Sequence, residues 1–145
     1  MKAKDSDIIS IKTKLSAPVE EAWRAWTEPL LIMKWFGSDP DGIVLNAALD
    51  VRPGGHFEIT FKDSNGTQHT CSGIYEDVQK YNKLSFTWKW KSEPGVQSFV
   101  TVLLSPENNV TLMQFEHAHI GYGSAHNYLQ GWKNTFLKLE HILTA

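Results

Sequence analysis

His117 and His119 stand two positions apart, and imidazole is both the side chain that titrates nearest neutrality and a ready metal ligand. On one face of a strand the pair would offer two nitrogens to the same space. A zinc site needs a third ligand and usually a fourth. Glu116, His69 and His126 are the donors at hand, and their spacing does not bring them together. The simpler reading leaves His117 alone in an interior, a polar residue behind Thr111, Met113 and Phe115 on one strand face. Motifs for other chemistry are missing: there is no Gly-x-Ser-x-Gly elbow, no phosphate loop and no His-Glu-x-x-His. Gly121-Tyr122-Gly123-Ser124 opens a helix whose free N–H groups suit an anion. It lacks the further glycines and the lysine of a phosphate loop, and reads as a turn. No catalytic residue, metal or cofactor is assigned.

The aromatic side chains are the other candidates. The chain has six tryptophans in 145 residues. Trp23, Trp26, Phe57 and Phe86 read as core. Trp35, Tyr75, Trp88, Tyr128 and Trp132 fall on elements that would border an interior space, where large rings with polar tips both pack and grip ligands. With Thr111, Met113 and His117 they form the candidate ligand-binding set, Trp35 near its mouth.

The elements that must position these residues follow from periodicity. Ile9, Ile11, Thr13 and Leu15 alternate with polar residues, a half-buried strand. Ser16, Pro18, Glu20 and Glu21 announce a helix, with Val19, Ala22, Trp23 and Trp26 as its buried stripe. Thr27 and Pro29 start a second short helix that stops near Gly37. From residue 43 the period is two. Ile43, Leu45, Ala47, Leu49 and Val51 share one face, and Phe57, Ile59 and Phe61 another. Asp63-Ser64-Asn65-Gly66 reads as a hairpin turn in which Asn-Gly supplies positive φ angles. Strands follow over 70–78, 84–90, 98–104 and 110–117, separated by Tyr81-Asn82, Glu93-Pro94-Gly95 and Pro106-Glu107-Asn108-Asn109. Such short links require antiparallel neighbours. After Gly123 the period returns to 3.6, with Ser124 as N-cap and Ala125, Leu129, Trp132, Phe136, Leu139 and Leu143 on one face. Gly131 sits mid-helix at a cost of about 1 kcal/mol relative to alanine, which close approach of another element or a ligand would explain. Lys133, Lys138 and Glu140 read as the solvated face. A sheet with one apolar face and one long amphipathic helix has a direct solution: the sheet wraps the helix.

Composition narrows the classes. A net charge of −2 with 41% apolar residues describes an ordinary globular chain of one domain, residues 1–145, and argues against nucleic acid, which calls for a basic face. Cys71 is the only cysteine, so an internal disulfide and a Cys-rich metal site are excluded. No apolar stretch of the length a signal peptide needs follows Met1-Lys2-Ala3-Lys4-Asp5, so none is expected, and no apolar run approaches the roughly 20 residues of a membrane span. A cytoplasmic location is expected.

Ala17-Pro18 with Trp23 and Ala25, Thr27-Glu28-Pro29, Lys34-Trp35-Phe36-Gly37 and Arg52-Pro53-Gly54-Gly55 with Phe57 form a series. Gly73 with Tyr75, Leu84-Ser85-Phe86-Thr87-Trp88, the alternation of Thr111, Met113, Phe115 and His117, and Gly131-Trp132 complete it. In this order and spacing they resemble the START-related, birch-pollen-allergen-like helix-grip superfamily (SRPBCC). Within it, the chain is most similar to the family named after the activator of the 90-kilodalton heat-shock protein ATPase, in its C-terminal-domain-like part. The resemblance implies an α+β helix-grip fold: a strand, two short helices and about six further strands in a curved antiparallel sheet around a long C-terminal helix. Superfamily relatives bind lipids, sterols or hormones, or cyclise polyketides, between helix and sheet. The co-chaperone that names the family has a further N-terminal domain, for which this chain has no room.

The leading expectation is therefore non-catalytic binding of a small, largely apolar molecule, lipid-like or aromatic, in a stress-response or transport setting, by a monomer or homodimer. Two alternatives belong to other classes. One is a cavity enzyme of the polyketide cyclase, dehydratase or hydrolase type, with His117 as general base or acid and Tyr75 or Thr111 as its partner. The other is a chaperone-interacting module.

Overall fold

The computed structural model describes residues 8–120 and 127–144. Strand β1 (Ile8–Leu15) is followed by helices α1 (Val19–Thr27) and α2 (Pro29–Ile32). Six strands come next: β2 (Ile43–Leu49), β3 (His56–Lys62), β4 (Gln68–Gln79), β5 (Lys83–Trp90), β6 (Ser98–Glu107) and β7 (Val110–Ala118). Helix α3 (Tyr128–Leu143) closes the chain. The strands form one seven-stranded antiparallel sheet in the order β1-β7-β6-β5-β4-β3-β2. The middle of the chain is thus a meander, and β1 returns to its far edge by pairing with β7, Ile8 opposite Ala118 and Leu15 opposite Thr111.

Alternation explains the core. Phe57, Ile59 and Phe61 of β3, Leu84, Phe86, Trp88 and Trp90 of β5, and Thr111, Met113, Phe115 and His117 of β7 are all buried. Against them pack Val19, Ala22, Trp23, Ala25 and Trp26 of α1, and Tyr128, Trp132, Thr135, Phe136 and Leu139 of α3. Trp26 lies at the centre, in ring contact with Trp35, Phe86, Phe115 and Phe136. The fold class is α+β, a curved antiparallel sheet with a long C-terminal helix. No helix among the described residues is long and apolar enough to cross a membrane.

Several local expectations are corrected. The register of β2 shifts between Val44 and Asn46. A bulge sets two residues of one strand against one of its partner, so simple alternation fails there. Ile43 and Leu45 consequently face outward, while Val44, Ala47, Leu49 and Val51 pack against the core. In the β3–β4 turn only Gly66 has positive φ, at +96°, with its N–H donating to the Asp63 carbonyl and Asp63 N–H donating to the Thr67 carbonyl. Asn65 instead accepts from Thr67 N–H with its side chain. The β6–β7 connection is tighter than its composition suggests: Pro106 lies within β6 opposite Thr111, and Asn108 takes φ +62° in the turn.

The helix ends also differ from the sequence reading. α3 begins at Tyr128, its Asn127 side chain accepting from Gln130 N–H. Ser124, Ala125 and His126 lie outside the described residues, as does the Gly121-Tyr122-Gly123 turn. Ser16 does not cap α1, whose N-cap is Pro18. Its backbone N–H and hydroxyl both donate to the Glu140 carboxylate on α3, the N–H at 2.8 Å. Glu140 is therefore a tie between β1's end and α3, and Lys138 ties α3 to the segment after α2: its ammonium donates to the Asp39 carbonyl at 2.9 Å. Of the three residues expected on a solvated face, only Lys133 is plainly exposed.

Candidate functional site

Strand β5 turns Trp88 and Trp90 to the same side, and one turn of α3 puts Tyr128 and Trp132 on one face at i, i+4 spacing. Between them lies a cavity of about 80 Å³. Phe36 and Gly37 from the segment after α2, Phe61 of β3 and His69 of β4 complete the aromatic wall, with Ser38, Asn127 and Thr135 as polar neighbours. β3–β4 pairing sets Phe61 directly opposite His69. Most of the rings meet at steep angles, 87° between Trp88 and Trp90, 85° between Phe36 and Trp132 and 74° between Phe36 and Phe61, while Phe36 and Trp88 are inclined by 34° and Phe61 and His69 by 37°. That is a box of rings and not a stack. The Trp90 indole N–H donates to the Tyr128 hydroxyl at 2.9 Å and links strand to helix.

Gly131 is part of this wall. A methyl group there would meet only the Cβ of Ser38, at 3.4 Å, an ordinary contact. Packing does not demand the glycine. Its missing side chain leaves the cavity its width.

Behind the wall stands His117, fully buried. The Trp132 indole N–H donates to its Nδ1 at 3.0 Å. An indole can only donate, so Nδ1 must be unprotonated and Nε2 carries the hydrogen. Nε2–H therefore donates to the Ser98 hydroxyl, 2.7 Å away, and Ser98 in turn donates to the Trp88 carbonyl at 3.4 Å. Burial pushes the His117 pKa down to about 3. Both ring nitrogens are bonded to protein, and neither Tyr75 nor Thr111 is a partner, contrary to the acid–base arrangement considered from the sequence. The histidine pair does not form either: β7 ends at Ala118 and His119 takes φ +60°, its ring against Phe99. Among the described residues no cluster of three His, Cys, Asp or Glu side chains has metal-binding geometry.

Of the candidate ligand-binding residues, the structure brings Trp88, Tyr128 and Trp132 to the cavity. It places the others elsewhere. Trp35 is fully buried, not at a mouth, and donates from its indole to the Ala25 carbonyl at 3.0 Å. Tyr75 packs against Phe57 and Phe86, where burial raises its hydroxyl pKa. Thr111 donates to the Ala17 carbonyl at 2.8 Å, pinning the entry to α1 onto β7. Met113 is a fully buried core residue of the same strand. Sequence reasoning missed Phe36, Phe61, His69 and Trp90. Trp90 could have been found, since it shares the alternating face of Trp88. His69 could not, because only the β3–β4 register brings it to the wall.

Around His69 the polar groups are ordered. Its Nε2 lies 2.8 Å from one carboxylate oxygen of Asp63, and the other oxygen, Oδ1, is buried with no hydrogen-bond partner. Asp39 accepts from Ser64 N–H, Ser64 hydroxyl and Asp41 N–H, bonds that hold its carboxyl below the usual range, the Ser64 N–H bond first.

The family described as activator of Hsp90 ATPase homolog 1-like protein matches residues 16–144. Among solved structures, a protein of Nitrosomonas europaea superposes with a TM-score of 0.81 at 27% identity, over 94% of each chain. A protein of Chromobacterium violaceum gives 0.84 at 23% identity, over 97% of this chain and 99% of that one. The solution structure of an AHSA1-like protein from Aeromonas hydrophila gives 0.80 at 20% identity, over 94% and 92%. No curated protein matches. With nearly the whole chain matched and the helix-grip architecture shared, this protein belongs to the activator of Hsp90 ATPase homolog 1-like family.

Proposed function

We propose that this protein binds a small, largely apolar molecule, without transforming it, in the cavity between α3 and the sheet. The observation that carries the reading is the hollow itself: six aromatic side chains surround it, and a helical glycine keeps open a width that packing alone would let a methyl group fill. At about 80 Å³ it is about half the size of an engineered apolar hollow of about 150 Å³ that admits benzene. It therefore takes the head or end of a molecule, with the remainder passing the polar residues Ser38, Asn127 and Thr135. The engagement of both His117 nitrogens supports binding over acid–base catalysis.

An apolar fluorescent probe titrated into the protein tests this. It should bind and quench tryptophan emission, because Trp88, Trp90 and Trp132 line the site, and Gly131→Leu should abolish binding by filling it. Equal binding to both proteins would place the probe elsewhere and refute the proposal. A second reading, a chaperone-interacting module, draws on the family name and on Leu137 of α3, which is 72% exposed beside Lys34, Pro40 and Ile142. Leu137→Lys would discriminate, abolishing chaperone capture while leaving probe binding intact.

A further inference from the structure

We propose that the cavity is a cage for a methylated ammonium head group, of the choline or betaine kind. This deepens the reading above and rests on it: the cavity must first be a ligand site.

The argument begins with the wall. Phe36, Phe61, Trp88, Trp90, Tyr128 and Trp132 surround the hollow from the sheet, the helix and the segment after α2. Their steep mutual angles turn ring planes in different directions about it. An indole or phenyl face is the negative end of a quadrupole, so those rings that turn a face to the hollow would attract a cation, most strongly when the cation sheds its water. A methylated ammonium is the cation best suited to an apolar box, because its charge is spread over carbon and it has little hydration to lose.

Aromatic walls alone would serve a neutral group equally well. The charges behind them decide. Asp63 stands directly behind His69, and its Oδ1 is buried without a donor. An unpaired buried carboxylate oxygen is costly, and a cation in the adjoining hollow would offset that cost. Asp39, next in the chain to the wall residue Ser38, adds a second carboxylate, its ionised form favoured by three hydrogen bonds. Against these stands Lys138, bonded to the Asp39 carbonyl and within electrostatic reach of both Asp39 and Asp63. Two carboxylates and one ammonium thus stand close to the cage, a balance that favours a cation.

Choline and its uncharged neopentyl analogue, in which carbon replaces nitrogen, have nearly the same shape and separate charge from fit. Both are titrated at about pH 8 by tryptophan fluorescence and calorimetry, alongside the apolar probe. Choline should bind at least about tenfold more tightly than the analogue. Asp63→Asn should lower choline affinity about tenfold and leave the analogue unchanged, and Gly131→Leu should abolish choline binding. Equal affinity for choline and analogue would overturn the cation proposal while leaving the apolar reading in place. So would binding of the probe without choline. If neither probe nor choline binds, the cavity is not a ligand site and both readings fall. The choline–analogue comparison uses the unaltered protein, so it holds even if a variant fails to fold.

Discussion

Acid should weaken this protein through His117. In the folded state the ring is buried and neutral, its pKa pushed down to about 3, and its Nδ1 accepts from Trp132. In the unfolded chain an imidazole titrates near 6.5. Between these values the unfolded state binds the extra proton and the folded state does not, so stability falls as pH drops below about 6.5 and levels off only near the folded value. Holding the ring neutral costs about 2 kcal/mol at pH 5 and about 3 kcal/mol at pH 4. Protonating Nδ1 instead would set it donor to donor against the Trp132 N–H and loosen α3 from the sheet. The assay is urea denaturation at several pH values, comparing the parent with His117→Gln, whose amide can accept from Trp132 and donate to Ser98 but does not titrate. The parent should lose about 2 kcal/mol more than the variant between about pH 7.5 and pH 5. Other titrating groups are common to both proteins and cancel. Parallel curves would refute the reasoning, because they would mean that His117 is as free to take a proton in the folded state as in the unfolded one.

Gly131→Ala should raise stability by up to about 1 kcal/mol, since alanine is the better helix former and its methyl meets only Ser38; a lower urea midpoint would mean that Ser38 cannot accept the contact. Trp132→Ala should cost about 3–5 kcal/mol in the same assay, as it removes a buried ring together with the bond to His117. Glu140→Ala should cost about 1 kcal/mol, the scale of hydrogen bonds to a charged group discounted for exposure, and an unchanged midpoint would show the tie to be idle. Excess EDTA should leave the melting temperature unmoved; a fall reversed by zinc would reveal a metal site.

Much of the architecture was legible because period and punctuation agreed along the chain. Phe57, Ile59 and Phe61 alternate without exception, and Trp132, Phe136 and Leu139 repeat at helical spacing. The failures fell where tertiary contact overrides local pattern. The bulge after Val44 reverses which of Ile43 and Val44 faces inward, and alternation contains no sign of it. Ser16 has the chemistry of a cap, but a carboxylate 124 positions away takes its donors. The site was harder to read for the same reason. Alternation correctly turned Thr111, Met113 and His117 inward, but facing inward is not facing a cavity. Whether a buried residue meets other side chains or empty space depends on the packing of β5, β7 and α3 together. Met113→Trp would thus overpack a filled core, and Gly131→Leu is the substitution that fills the hollow.

The pairing of β1 with β7 bears on how the chain is made. Leu15 finds its partner in Thr111, 96 positions later, and Ser16 waits for Glu140, near the C-terminal end of α3. At about 5–20 residues per second, a ribosome needs roughly 5–20 s to supply that partner strand. Throughout that interval Ile9, Ile11 and Leu15 have emerged while the meander that will cover them is still being extended. The lysines at positions 12 and 14 alternate with those apolar residues, and on a waiting strand such charges discourage pairing with a neighbouring nascent chain. The same two lysines that read as a solvent-facing pattern in the finished protein would thus also guard its first strand during synthesis.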